Sequence, residues 1–253
     1  MVDVRVRAGY IAVVRTTGMT VDEALLLRVG IDTGTGGAHG PLFPDGRFEY
    51  VPIPESRETA ERRTYADLSG RYGEALSTYV PHLADRVPHY DPEFTTYTYG
   101  DVGKVKCSQL SRLTEGDLLV FYAGLEPVDG SGPARLYAIG YLTVAEVVDL
   151  EAMDGTERAE ACERLPHNAH VKRTGLEPDP RASDRYPVIV RGRPTRSGLF
   201  ARARPLGTDE RLVRPDVARA IGFEGDLTRA GAARILDVER IAEIRRWLDG
   251  DLP

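Results

Sequence analysis

Two long apolar segments near the middle of the chain restrict its fold most strongly. Residues 118–125 and 136–150 are rich in Leu, Val, Ala and Tyr, and a Gly-, Pro- and Asp-containing stretch (126–133) joins them. Such segments predict β-strands, and Gly140 within the second one indicates a bulge or a close approach of another backbone. A connection this short allows antiparallel pairing, and strand segments outnumber helical ones, so βαβ winding is not expected. We therefore predict an α+β fold: a single domain around a mixed, mostly antiparallel, barrel-like sheet with peripheral helices.

Other segments add shorter elements to this sheet. An apolar run at 24–31 predicts a buried strand, and 186–193 and 199–206 predict two more. Pro44-Asp45-Gly46 favours a tight turn, so 40–53 is predicted to form a hairpin. Helices are predicted over 67–79, 151–165 and 238–248, the last beginning after Asp237 and ending at Gly250.

Length and cysteine content limit the class of protein. With 253 residues the chain can bury a substantial core, and no apolar run approaches the length of a membrane span. Two cysteines are too few for a disulfide framework or a zinc knuckle. These features predict a cytoplasmic protein with no membrane partner. We assign 21–253 to the single domain and 1–20 to an N-terminal extension whose role the sequence leaves open.

The strand at 24–31 leads directly into Asp32 and a glycine-rich loop. Glycines let a ligand approach the main chain and expose its N–H groups, although they also serve simply to turn the chain. The loop does not fit the dinucleotide fingerprint, because His39 stands where the third glycine belongs, and it is not a P-loop. We predict that it forms one wall of a ligand pocket. The candidate ligand-binding residues are Thr33, Gly34, Gly36, Gly37, His39, Asp45 and His170.

Acidic and imidazole side chains in loops are candidates for chemistry. His89, Asp91 and Glu93 alternate, so in an extended segment they point the same way. With Asp32 they could form a hard-metal or general acid–base site, whereas the plainer interpretation is that Asp residues initiate turns. We name Asp32, Asp91 and His89 as candidate catalytic residues. Their spacing matches no specific metal signature, so the metal requirement and any other cofactor stay unknown.

Charge is distributed unevenly along an acidic chain. The formal net charge is −6, which argues against indiscriminate coating of nucleic acid. Nevertheless nine Lys or Arg lie between His170 and Arg204, against three Asp or Glu. This segment predicts either a phosphate-binding surface or a solvated face without further role. The candidate phosphate or nucleic-acid contacts are Lys172, Arg173, Arg191, Arg193 and Arg196.

Several short motifs resemble a known protein family. They are RVGIDTGTGGAHGPLFPDGRFEYVPIPE (28–55), RTYADL (63–68), HYDPEF (89–94), GDLLVFYAGL (116–125), LYAIGYLTV (136–144) and NAHVKR (168–173). From about Met19 onward the chain is similar to the nucleotide modification associated domain 3 family. The resemblance implies an association with systems that make or handle modified nucleobases in phage and prokaryotic DNA, and it implies no particular reaction. The two strand motifs also resemble PUA-like barrels at the level of fold.

Together these observations predict a nucleic-acid- or nucleotide-handling protein associated with nucleobase modification. It would bind a base or nucleotide in a pocket built on the glycine-rich loop 34–40. Two alternatives stay open: a non-catalytic reader of modified bases, and a protein-interaction scaffold in a DNA modification or defence system. Whether the protein is an enzyme is open as well. The predicted partners are nucleic acid or a nucleotide, with a modified base, and proteins encoded in the same operon.

Overall fold

The computed structural model describes residues 23–173, 184–228 and 231–250, and the structural statements below concern these residues. The N-terminal extension lies outside them. The strands are β1 (Ala24–Arg28), β2 (Gly40–Leu42), β3 (Ile53–Pro54), β4 (Pro88–His89), β5 (Thr98–Gly103), β6 (Leu118–Pro127), β7 (Arg135–Asp149), β8 (Asp184–Pro205) and β9 (Arg234–Ile235). The α-helices are α1 (Lys104–Leu110), α2 (Gly155–Arg164), α3 (Pro215–Ile221) and α4 (Ile241–Asp249). Single 3-10 turns cover Leu76–Thr78, Pro81–Leu83, Leu150–Ala152 and Val238–Arg240.

Seven strands form the main sheet, in the order β5-β8-β7-β6-β1-β9 with β2 beside the end of β6. The pairs β5–β8, β7–β8, β6–β7 and β1–β9 are antiparallel, whereas β1 and β2 both lie parallel to β6. The sheet curls into a half-barrel with the helices at its periphery. The predicted α+β class and the mixed, mostly antiparallel sheet are confirmed.

Bulges bend the long strands. The register of β6 against β7 shifts between Phe121 and Tyr122, and that of β7 against β8 shifts between Ala138 and Gly140. A Cβ atom at Gly140 would lie 2.5 Å from the carbonyl oxygen of Gly198, so only glycine allows this close approach. The predicted bulge at Gly140 is confirmed. Because a bulge increases the local twist of a strand, these irregularities help the sheet to curl.

Among the described residues, buried apolar side chains form one large core against the main sheet, a smaller core in the long loops and a third cluster around α2. The large core includes Leu25, Phe121 and Trp247, each at most 4% exposed. The smaller core contains Ile31, Val51, Tyr65, Leu76, Val80 and Leu83. Four of its six residues come from the segment between β3 and β4, whose backbone hydrogen bonds are mostly those of turns rather than of α-helices or strands. Buried apolar side chains therefore fix this irregular segment in place.

Several shorter predictions need correction. The segment 67–79 is not an α-helix: Gly70 and Gly73, the latter with φ of +90°, break it into turns before the 3-10 turn at Leu76–Thr78. The two strands predicted at 186–193 and 199–206 form one continuous strand, β8. The predicted hairpin over 40–53 forms in its first part: Leu42 is bridged to Phe48, and the Glu49 N–H donates to the Pro41 carbonyl oxygen at 3.2 Å. Its last residues leave β2, because Ile53–Pro54 pairs with β4.

The C-terminal helix forms where the sequence predicts it. The Asp237 side chain accepts a hydrogen bond from the Glu239 N–H at 3.1 Å, and Gly250 ends α4 with φ of +88°. None of the helices among the described residues is both long and apolar enough to cross a membrane.

Candidate functional site

The carboxylate of Asp32 accepts hydrogen bonds from residues of its own loop. Its Oδ1 atom accepts hydrogen bonds from the Gly34 and Thr35 N–H groups, each at 2.8 Å, and Arg28 lies 3.0 Å from Oδ2. Burial opposes ionisation here, but the hydrogen bonds from Thr35 and the charge of Arg28 outweigh it, so the pKa of Asp32 is lowered. This geometry is that of an aspartate that shapes a turn.

The other residues of the glycine-rich loop also contact their surroundings rather than a shared centre. Gly36 packs against Ile31, and its carbonyl oxygen lies 2.7 Å from Nε2 of the exposed His82. His39 packs on Gly124 of β6, and Asp45 pairs with Arg47 at 2.6 Å in an exposed turn. Thr33, Gly34 and Gly37 are exposed. No hydrogen bond recorded among the described residues joins this loop to His89 or Asp91.

Five polar side chains meet instead at a second place, which we call the buried cluster: Glu55, His89, Asp91, His170 and Arg173. Glu55 follows β3 and His89 ends β4, and the antiparallel pairing of these strands places them side by side. Their side chains are between 3% and 11% exposed. The structure therefore brings together His89, Asp91 and His170, which the sequence predicted as catalytic or ligand-binding residues. Asp91 and His170 are 79 residues apart in the chain.

Hydrogen bonds fix the ring orientation of both histidines. Glu55 Oε2 lies 2.7 Å from His89 Nδ1 and can only accept, so Nδ1 carries a proton and Nε2 faces Asp91 Oδ2 at 4.0 Å. Arg173 Nη1 lies 3.1 Å from His170 Nδ1 and can only donate, so the His170 proton resides on Nε2, 3.3 Å from Asp91 Oδ2. Burial, reinforced by the charge of Arg173, lowers the pKa of His170 to about 4. Burial also lowers the pKa of His89, against the effect of Glu55.

Few hydrogen bonds stabilise the buried carboxylate of Asp91. Both of its oxygens share one donor, the Gly100 N–H, at 3.1 Å. Burial raises the pKa of Asp91 to about 7, although His89 and the Gly100 hydrogen bond act in the opposite direction. Gly100 is also required for space, because a Cβ atom there would lie 2.7 Å from Cδ2 of the His170 ring. The Asp91 backbone is held by the Tyr50 hydroxyl, which donates to its carbonyl oxygen at 2.6 Å.

Glu55 carries the compensating charge for Arg173. The Arg173 guanidinium reaches both carboxylate oxygens of Glu55 at 3.0–3.2 Å. Burial would raise the pKa of Glu55, but hydrogen bonds from His89 and Arg173 hold it well below its usual range. Arg173 was a candidate phosphate contact, and its guanidinium is already engaged inside the protein.

A cavity of about 380 Å³ lies beside the buried cluster. Glu55 belongs to both, and the cavity wall combines apolar surface with charged groups of both signs. Its lining residues include Glu55, Leu68, Pro88, Tyr90, Glu61, Arg63, Glu93, Thr95, Thr96, His167, Ala169 and Lys172. Volume and mixed lining are those of a small-molecule site.

Three of the predicted phosphate contacts lie away from the buried cluster. Arg191 pairs with Glu146 at 2.8 Å and Arg193 pairs with Glu115, both on the exposed side of β8, and Arg196 is exposed in the same strand. Lys172, by contrast, lies at the cavity and pairs with Glu61 at 2.9 Å. The five predicted phosphate contacts therefore fall into two groups, and only Lys172 and Arg173 lie near the cavity or the cluster.

The family model for nucleotide modification associated domain 3 matches residues 23–219. The chain belongs to that family. Its description connects nucleotide modification associated domain 3 proteins with nucleotide modification systems. The matched range contains the whole buried cluster and all residues that line the cavity. Searches of curated proteins and of solved structures gave no match.

Sequence reasoning missed two residues of the site. Glu55 joins the histidines to Arg173, and Gly100 makes room for the His170 ring. Glu55 ends the longest motif shared with nucleotide modification associated domain 3, which was the only signal for it in the sequence. Glu93, predicted to face the same way as Asp91, accepts hydrogen bonds from Thr95 and Thr96 and lines the cavity.

Proposed function

We propose that this nucleotide modification associated domain 3 protein binds a nucleobase or nucleotide in the cavity beside Glu55. The observation that carries the proposal is the composition of the cavity wall. Tyr90, Leu68 and Pro88 supply apolar surface for a flat heterocycle, and the polar side chains of Ser69 and His167 lie in the same wall. The glycine-rich loop, whose polar groups are used internally, is a supporting structure in this proposal.

Cations at the cavity suit a phosphate group. Lys172 and Arg63 both pair with Glu61, at 2.9 Å each. Hydrogen bonds from Arg63, followed by those from Lys172, hold the pKa of Glu61 well below its usual range, despite partial burial. A phosphate that enters the cavity would replace Glu61 as the anion between the two cations. Both charges are then already positioned before the ligand binds.

Paired variants test the location of the site. Tyr90→Leu removes the aromatic face and keeps apolar bulk. We expect it to weaken nucleoside binding in calorimetry at least about fivefold, because base–aromatic stacking contributes about 1–3 kcal/mol. Tyr137→Leu is the matched control, since Tyr137 lines a different cavity of about 330 Å³. Unchanged affinity in Tyr90→Leu, or a loss confined to Tyr137→Leu, would place the ligand elsewhere.

A second variant separates the base from the phosphate. Lys172→Met removes one cation, so the affinity for a nucleoside monophosphate should fall while that for the nucleoside stays within twofold. Equal loss for both ligands would contradict a phosphate role for Lys172. Mass spectrometry of DNA and nucleotides incubated with the protein then distinguishes a modifying enzyme, which forms a new product, from a non-catalytic reader, which retains modified DNA unchanged.

A further inference from the structure

Three side chains of the buried cluster converge without taking part in the cavity wall. His89, Asp91 and His170 each offer one ligand atom, and these atoms lie within 4.8 Å of one another. Their side chains are 6%, 4% and 6% exposed. The cavity is lined by neighbours of the three rather than by the three themselves. Nucleotide binding in the cavity therefore does not explain why they meet.

We propose that His89, Asp91 and His170 bind one divalent first-row transition metal ion, the class that includes Zn²⁺ and Fe²⁺. Two imidazole nitrogens and one carboxylate oxygen form a donor set that such ions favour. Mg²⁺ and Ca²⁺ prefer oxygen ligands and are poor candidates. Three protein ligands leave coordination positions for water or another small ligand.

The distances between the ligand atoms fit a common ion. Bonds from Zn²⁺ to nitrogen or oxygen are about 2.0–2.2 Å, so two atoms on one ion lie no more than about 4.4 Å apart. Asp91 Oδ2 is 3.3 Å from His170 Nε2 and 4.0 Å from His89 Nε2, within that limit. Tetrahedral coordination at these bond lengths places ligand atoms about 3.3–3.6 Å apart. Asp91 and His170 already have that spacing, whereas the 4.8 Å bound on the set requires an inward movement of up to about 1.5 Å on binding.

The surroundings position the ligands in the way metal sites require. Glu55 accepts the Nδ1 proton of His89 at 2.7 Å, which leaves Nε2 free, and carboxylate–histidine pairs of this kind commonly orient metal ligands. The backbone at His170 is held by Asn168, whose Oδ1 accepts the His170 N–H at 3.0 Å. Gly100 provides the space that the His170 ring occupies. The Gly100 N–H also donates to both oxygens of Asp91 at 3.1 Å, so each of the three ligands has a support.

The charge of the cluster also favours a cation. Arg173 is matched by Glu55, whereas the ion-pair partners recorded for Asp91 among the described residues are the two neutral histidines. A buried carboxylate without a cation is unfavourable. Metal binding to His170 Nε2 moves the ring proton to Nδ1, so Arg173 Nη1 must turn away from Nδ1. Because the guanidinium is planar and rigid, the whole group has to shift relative to Glu55, whose two oxygens remain its acceptors.

Cobalt titration tests the site in the full chain. After treatment with a chelator, the wild-type protein should bind one Co²⁺ with visible absorption bands, and Zn²⁺ should displace it. Asp91→Asn keeps the shape and removes the charge, so we expect at least a hundredfold weaker binding. His82→Ala is the matched control, because His82 is exposed and contacts Gly36 outside the cluster; its affinity should stay within twofold of the wild type.

X-ray absorption of the wild-type cobalt complex supplies a result that needs no variant: two histidine nitrogens at about 2.0–2.1 Å support the assignment. A wild-type protein that takes up no cobalt would overturn it, as would unaltered binding in Asp91→Asn or a spectrum without imidazole ligands. Since the readout is the metal itself, failure here leaves nucleotide binding at the Tyr90 cavity unaffected.

Discussion

Replacement of Glu55 by Gln should destabilise the protein far more than the same change at a surface carboxylate. Glu55 is 3% exposed and accepts from His89, from Arg173 and from the N–H groups of Ser56 and Arg57. All of these partners are donors, so the amide nitrogen of a Gln faces a donor in either orientation. Arg173, at 11% exposure, also loses its counter-charge.

The expected cost follows from this geometry. Breaking a buried ion pair by removing one partner costs about 3–5 kcal/mol. With a urea dependence of about 3 kcal/mol per molar, the unfolding midpoint should fall by about 1–2 M. Urea titration followed by circular dichroism measures this midpoint, and thermal unfolding provides a second measurement on the same samples.

Glu146 provides the matched control. It also lies between two arginines, Arg164 and Arg191, but it is 30% exposed and its partners are 56% and 46% exposed. Surface pairs contribute about 0–1 kcal/mol, so Glu146→Gln should shift the midpoint only slightly. Equal shifts in the two variants would refute the conclusion that Glu55 holds a buried charge in place.

Three further changes test other parts of the structure. Burial raises the pKa of Glu49, against the hydrogen bond from Arg71, so ionisation of Glu49 opposes folding. Glu49→Gln should therefore raise the urea midpoint at pH 7. This gain should vanish in titrations below the unfolded-state pKa of about 4.3, where the wild-type carboxyl group is protonated in both states. Gly100→Ala places a Cβ atom 2.7 Å from the His170 ring, and the overpacking should cost about 1–3 kcal/mol in the same assay. Asp32→Asn weakens the hydrogen bonds of the loop and should lower the free energy of unfolding by about 1 kcal/mol. The nucleoside affinity measured by calorimetry should stay unchanged. A loss of affinity would show that Asp32 belongs to the binding site.

The elements that the sequence predicted well are those whose signal is local. β6 and β7 are long apolar runs next to each other in the chain, so both their existence and their antiparallel pairing could be predicted. The parallel pairing of β1 with β6 joins segments about ninety residues apart, and no local pattern encodes it. The predicted helix over 67–79 is wrong because Gly70 and Gly73 favour turns in a segment whose other residues are compatible with a helix.

The candidate site shows the same division. His89, Asp91 and His170 could each be singled out by residue type, since acidic and imidazole side chains are candidates for chemistry and ligand binding. Their meeting depends on the β3–β4 pair and on the contact of Asn168 with Thr98, which are long-range features. The sequence also grouped Asp32 with Asp91, because strand-end carboxylates often converge, but hydrogen bonds from Thr35 keep Asp32 within its own turn.

The end of the chain has a practical consequence for anyone who shortens this protein. The family match stops at residue 219, inside α3, yet β9 covers the free edge of β1 and α4 inserts Ile244, Trp247 and Leu248 into the main core. A fragment limited to the matched range would expose that strand edge and leave a cavity in the core at the position of Trp247. Exposed strand edges recruit other chains, so such a fragment should precipitate during purification, and the last thirty or so residues belong in any shortened version.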